Sequence, residues 1–239
     1  MQKELKIKAN DGKLIYGTLA VAKKKSDKLI IFVHGFTGHR NYHMLFNGAR
    51  FFSEKGFDTF RFDLYSTQKK ARNFSDTKIS QHGRDITDVL KFFRDKYKKI
   101  YVVGHSYGGT SLLFVDQYLA DGFIFWDASY VEPDKDSKGN IKYNKALDAY
   151  ILDWRIETII GKNYIQELKH FLDCGSLINK INIPVLFITA GKGAVKHGIK
   201  YFKAANEPKK LVNIKTANHN FDDWKDEDFL FKKTFDWLI

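Results

Sequence analysis

The chain has 239 residues, 44% of them hydrophobic and 15% aromatic, enough apolar material for one sizeable core and too much for a disordered polypeptide. A single cysteine, Cys174, excludes an internal disulfide and fits a reducing compartment, and no run approaches the roughly 18 to 20 apolar residues of a membrane span. The formal charge is +12, but only 7 of the 40 basic residues are Arg, and the Lys pairs and triplets at 23–25, 69–70, 98–99 and 209–210 fall at loops and element ends. That distribution describes a solvated surface and excludes a dedicated nucleic-acid face.

Residues 1–10 alternate charged and apolar types, which predicts a strand and not a secretory signal, so the expected location is cytoplasmic. Segments 5–8 and 14–20 flank the turn Asn10-Asp11-Gly12 and predict an opening hairpin. Residues 29–33 form a continuous apolar run of buried-strand type. A helix is expected from about 42 to 55, stopped by Gly56, and a strand at 57–62. Ile86, Val89, Leu90 and Phe93 fall at i, i+3, i+4, i+7 within a helical segment over 80–97. A strand at 100–103, a helix at 107–119, strands at 123–126, 184–189 and 211–214, and a closing helix at about 226–238 complete the series. Such alternation predicts a mostly parallel central sheet flanked by helices.

The stretch between Asp127 and Ile183 breaks the alternation. It reads as a hairpin around 134–140 followed by helical pieces near 144–154 and 163–174. The expected organisation is therefore a core of residues 1–127 and 184–239 with an inserted cap at 128–183, over the edge where strand carboxyl ends bind ligands. Asp134-Lys135-Asp136-Ser137-Lys138-Gly139 has a Lys at a ligand position and no closing Glu, so it predicts a solvated turn and not a calcium loop. The cap aromatics Tyr130, Tyr143, Tyr150 and Trp154 fit either a pocket lining or simple packing.

Chemistry concentrates in Gly104-His105-Ser106-Tyr107-Gly108, a G-x-S-x-G pentapeptide entered by an apolar strand and left by a helical segment. Strand, sharp turn and helix are what the motif needs to project the hydroxyl of Ser106 into the open. Helix amides then point at the reaction centre. A serine hydroxyl is weak until a base takes its proton. His219 lies in a loop after the last strand and before the last helix, whereas His82, His170 and His197 fall on helices or their edges and His105 points inward. His39 and His43 are spaced i, i+4 without an H-E-x-x-H pattern, so no metal site is expected. His34-Gly35-Phe36-Thr37-Gly38 follows the strand at 29–33, where one oxyanion donor belongs; the candidate donors are the amides of Phe36 and Tyr107.

His34-Gly35-Phe36-Thr37-Gly38, Gly104-His105-Ser106-Tyr107-Gly108 and the late His219, in that order across nearly the whole chain, resemble the α/β-hydrolase superfamily. The His-Gly-Phe-Thr-Gly loop and a medium cap opening with a hairpin are similar to the bacterial cinnamoyl (feruloyl) esterases. The resemblance implies an α/β-hydrolase fold and a serine carboxylesterase acting on small to medium acyl esters, hydroxycinnamoyl esters among them, through an acyl-enzyme. It implies no metal or organic cofactor and a small-molecule ester as the substrate, and it leaves the oligomeric state open. It carries the nucleophile to Ser106, the base to His219 and the oxyanion donors to Phe36 and Tyr107.

Two departures stand out. Relatives place the triad acid after the penultimate core strand, but here that loop reads Ala190-Gly191-Lys192-Gly193-Ala194-Val195 and holds no carboxylate. Asp127, directly after the apolar Phe123-Ile124-Phe125-Trp126, is the candidate acid, since a charge at the end of such a run needs a partner. The alternative makes it a turn residue and leaves a Ser–His dyad or an inactive site. Asp222 and Asp223 fit better ahead of the closing helix. The second departure, Asp63-Leu64-Tyr65-Ser66 in place of a glycine-rich turn, bears on the pocket edge. A non-catalytic binder on this fold, or a thioesterase, lactonase, amidase or acyltransferase using the same Ser–His pair, are the competing functions.

Overall fold

Strand side chains alternate between the two faces of a sheet, and a strand apolar on both faces needs cover on both. The computed structural model describes residues 1–132, 140–154 and 156–239. β1 (Gln2–Lys8) and β2 (Leu14–Ala20) form the expected opening hairpin. In β3 (Lys28–Val33), Leu29, Ile31 and Val33 enter one core while Ile30 and Phe32 enter the other. α1 (His43–Glu54) stops at Gly56, whose φ is +90°, and leads into β4 (Asp58–Phe62).

α2 (Ile79–Arg94) buries the four residues of the predicted stripe completely or nearly so. Each removes from water an apolar side chain worth about 1.5–3 kcal/mol. β5 (Lys99–His105), α3 (Tyr107–Ser111) and β6 (Gly122–Trp126) follow. Beyond the intervening segment lie β10 (Val185–Ala190), α6 (Val195–Ala204), β11 (Lys209–Ile214) and α7 (Trp224–Leu238). The eight-stranded sheet has the order β1-β2-β4-β3-β5-β6-β10-β11 and is parallel from β4 onward. α1 and α7 cover one face, and α2 with α6 the other, so the mostly parallel sheet flanked by helices is as expected.

The segment between β6 and β10 differs from expectation. Residues 144–154 form no helix: β7 (Asn140–Asn144), β8 (Ala149–Trp154) and β9 (Ile156–Ile160) make a separate antiparallel sheet. Four of the five residues in the run Ile156-Glu157-Thr158-Ile159-Ile160 are β-branched, which suits a strand. Asn144 turns the β7–β8 hairpin by accepting the amides of Ala146 and Leu147, and Asp148 takes a φ of 48°. The hairpin turn expected around 134–140, with its calcium-like run, lies outside the described residues except for Asn140. Helix does occur near 163–174, as α4 (Lys162–Gln166) running into a wider π-turn at Glu167–Phe171, followed by α5 (Cys174–Ile178).

The helix expected over 107–119 ends at Ser111 and gives way to 3₁₀ turns at Leu112–Phe114 and Gln117–Leu119. Gly108 and Gly109 are poor helix formers, the Ser111 hydroxyl bonds back to the Tyr107 carbonyl, and Val115 is extended. Among the described residues no helix is long and apolar enough to cross a membrane.

Because β3, β5, β6, β10 and β11 run parallel, their carboxyl ends share one edge of the sheet. The loop at His34, the turn at Ser106, Asp127 and the loop holding His219 all begin at that edge.

Candidate active site

Ser106 occupies a strained position between β5 and α3, with φ 53° and ψ −123°. An L-residue held there costs about 1–3 kcal/mol and needs its surroundings to enforce it. Two close approaches do so. A Cβ on Gly104 would lie 2.6 Å from the backbone of Gly108, and one on Gly108 would lie 2.4 Å from the His34 carbonyl oxygen. The Ser106 amide donates to the Trp126 carbonyl at 3.0 Å, fastening the turn to the end of β6. Of six non-glycine residues with positive φ among the described residues, four (Thr37, Ser106, Asp127 and Phe221) lie at this edge.

The structure brings Ser106, His219 and Asp127 together although they are far apart in sequence. His219 Nε2 is 3.1 Å from Ser106 Oγ, and its Nδ1 is 2.6 Å from Asp127 Oδ2. The short Nδ1–carboxylate contact fixes the tautomer with hydrogen on Nδ1, which leaves Nε2 free to accept the Ser106 proton. The imidazole side chain is 47% exposed while the carboxylate is 1% exposed, so the ring meets the cavity and the charge behind it does not meet water. Asp127 Oδ1 accepts the Ala190 amide at 2.8 Å, and the Asp127 amide donates to Ile188 at 2.7 Å. The end of β10, which lacks a carboxylate of its own, thus holds the carboxylate supplied by β6.

Asp223 caps α7 by accepting the Lys225 amide, and Asp222 accepts from Asn218, so neither faces the Nδ1 of His219.

The loop after β3 is held from behind. The Leu64 amide donates to His34 Nε2 at 3.0 Å, so His34 carries its hydrogen on Nδ1 and donates to the Gly35 carbonyl at 2.8 Å. The Tyr65 hydroxyl reaches the same carbonyl at 3.3 Å, and Asp63 accepts the Arg40 amide at 2.8 Å. The Asp63-Leu64-Tyr65 departure is therefore a buttress for the His34–Gly38 loop. Neither the Phe36 nor the Tyr107 amide has a protein acceptor among the described residues. Tyr107 is the first residue of a five-residue helix, so its amide is one of the orphan donors of that helix end and no long helix dipole stands behind it. A cavity of about 460 Å³ opens here, lined by Phe36, Tyr42, Ser106, Tyr107, Ser129 and His219 among others.

Three further residues shape the site through contacts that the sequence does not announce. His105 is buried, as its place in the turn predicts, but its Nε2 also donates to the His219 carbonyl at 2.9 Å, tying the two loops together. Tyr164 of α4 is buried against the rings of Phe36, Tyr107 and Phe74. Ser129 comes within 3.4 Å of Ser106 Oγ. By contrast Tyr130 packs on Tyr201, and Tyr143, half-exposed, pairs with Tyr150, so these three aromatics do not line the cavity beside Ser106.

Burial pushes the imidazoles of His34, His82 and His105 down to about 4, about 3 and about 3. All three are neutral in the folded chain at pH 5, whereas unfolded histidines titrate near 6.5. Their contribution to stability is therefore complete above pH 6.5 and is lost as pH falls toward the folded values. Each contributes a slope of about 1.4 kcal/mol per pH unit across that window, or up to about 4 kcal/mol per unit for three. Urea unfolding at pH 7, 6 and 5 should show this steep decline; a flat profile would contradict neutral burial.

A family model described as the alpha/beta hydrolase family matches residues 30–173. No curated protein matches the chain. Among solved structures, Est1E from Butyrivibrio proteoclasticus with ferulic acid bound is similar at 21% identity and a TM-score of 0.83, over 98% of this chain and 97% of that one. An esterase of Pyrococcus furiosus is similar at 17% identity and a TM-score of 0.74, over 100% and 91%. A dienelactone hydrolase from Anabaena variabilis is similar at 13% identity and a TM-score of 0.71, over 99% and 96%. At these identities the structural likeness speaks for the fold, and the family match for membership: the chain belongs to the alpha/beta hydrolase family.

Proposed function

We propose that the chain is a serine carboxylesterase in which Ser106, His219 and Asp127 form the catalytic triad. The observation that carries this reading is the line of two contacts, Ser106 Oγ to His219 Nε2 and His219 Nδ1 to Asp127 Oδ2. Ser106 Oγ attacks the ester carbonyl as its proton passes to Nε2, and the resulting imidazolium is held by the buried Asp127 carboxylate. The amides of Phe36 and Tyr107 take the oxyanion. His219 returns the proton to the departing alcohol, leaving the acyl group on Ser106. Water, activated by the same imidazole, then releases the acid and restores the hydroxyl.

A non-catalytic binder finds its support in the loop at 190–195, which holds no carboxylate. A carboxylate already in contact with His219 removes that support. Residues 128–183 serve as the cap, with Tyr164 on the inner side against Phe36 and Tyr107. The cavity volume and its aromatic walls suit a small to medium acyl group, aromatic ones included. Hydrolysis of p-nitrophenyl acetate and butyrate and of methyl hydroxycinnamates tests the reading. Turnover of at least the activated short esters is expected; a folded chain that hydrolyses none of the panel contradicts it.

A further inference from the structure

The geometry points to Ser129 as a second hydroxyl acting on the oxygen of Ser106, an inference that rests on Ser106 being the nucleophile. Ser129 Oγ lies 3.4 Å from Ser106 Oγ and lines the same cavity. Its hydroxyl has no other hydrogen bond among the described residues, while its backbone is fastened on three sides. The Ser129 carbonyl accepts the hydroxyls of Tyr201 at 2.6 Å and Thr110 at 2.7 Å, and its amide donates to the Ser106 carbonyl at 3.3 Å. One residue earlier, Ala128 presses so closely on α3 that a Cβ on Gly109 would lie 2.6 Å from the Ala128 Cβ. These contacts fix the Ser129 Cα and aim its side chain while leaving the hydroxyl proton free to turn.

The direction of donation follows from the partners. Ser106 gives its proton toward His219 Nε2, so the lone pairs of its oxygen remain to accept, and Ser129 is the donor. In the resting chain that bond is long and weak. As the Ser106 proton moves to His219, negative charge gathers on Oγ and the Ser129 bond becomes charge-assisted and shortens. Ser129 transfers no proton. It stabilises the nucleophile in the act of attack, and the same oxygen when the acyl bond to it breaks. The side chain is within reach because the acid sits at the end of β6: Asp127 and Ser129 belong to one loop, and placing the first beside His219 brings the second beside Ser106.

The rate of labelling by a fluorophosphonate reads this property directly. Ser106 Oγ bonds to phosphorus, fluoride departs with the P–F electron pair, the proton goes to His219, and no later hydrolysis is involved. Ser129→Ala should slow labelling about 3–10-fold, the value of one hydrogen bond to the reacting atom, and lower kcat/KM for p-nitrophenyl butyrate by the same factor. Its thermal midpoint should stay at the parent value, since the side chain has no other partner. Ser129→Thr, which keeps the hydroxyl, should label within a factor of about two of the parent. Parent-like labelling of Ser129→Ala overturns the proposal, as does a loss that Ser129→Thr shares and that accompanies a lowered midpoint. A parent chain that takes no label overturns the nucleophile reading first, and this one with it.

Discussion

Asp127→Asn should lower kcat about 10⁴-fold while leaving the fold intact, by the logic that the wrong imidazole tautomer cannot act as base. The surroundings of Asp127 dictate how the asparagine would sit. The Ala190 amide donates to Oδ1 at 2.8 Å, so the side-chain amide oxygen must face Ala190 and the NH₂ must face His219. Two N–H groups cannot meet across 2.6 Å, so His219 shifts its hydrogen to Nε2. An Nε2–H repels the Ser106 hydroxyl proton instead of accepting it. Stability should change little, because the Ala190 amide keeps its acceptor. Steady-state kinetics with p-nitrophenyl butyrate, beside a urea titration, checks both halves. A rate within a few-fold of the parent would move the acid elsewhere and return Asp127 to a turn residue.

His219→Ala should cost at least as much, and in a manner that shows the residues act as one unit. Groups that share one proton pathway are strongly non-additive when removed. Once the imidazole is gone, the Asp127 carboxylate has nothing to orient. The double variant His219→Ala with Asp127→Asn should therefore be no slower than His219→Ala alone, both losing about 10⁴-fold or more in kcat. A double variant slower by the product of the single losses would mean that Asp127 acts on the reaction independently of His219. Because the imidazole is half-exposed and its loop is tied separately by His105, the single variant should remain folded.

Some of this arrangement is legible in the sequence because it is local. The pentapeptide around Ser106 demands glycine at positions where no Cβ fits, and the residues that make the turn are contiguous. The stripe of Ile86, Val89, Leu90 and Phe93 announces its helix by spacing alone. Asp127 is legible only as a charge stranded after four apolar residues. What gives it a place is the Ala190 amide, 63 positions away, and no periodicity reports that contact. The same holds for the bond from His105 to the His219 carbonyl, and for Tyr164, whose role comes from the rings packed around it. β8 is misread as helix, together with the turn before it, because Lys145 to Asp148 carries residues that suit a helix equally well and the pairing of β8 with β7 and β9 is not written in its own spacing. α3 is misread the other way: apolar residues to Leu119 suggest continuity, but two glycines and a back-bonding serine end the helix after five residues.

The proton line from residue 106 to residue 127 has meaning only if an acyl group is carried on the first of them. Rapid mixing with excess p-nitrophenyl butyrate, acid quenching within the first turnover and mass analysis of the digested protein tests this directly. A butyryl adduct on the peptide containing Ser106, formed with a matching burst of nitrophenol and absent from Ser106→Ala, is the predicted result. Ester hydrolysis that proceeds with no adduct there, and survives Ser106→Ala undiminished, would contradict the account.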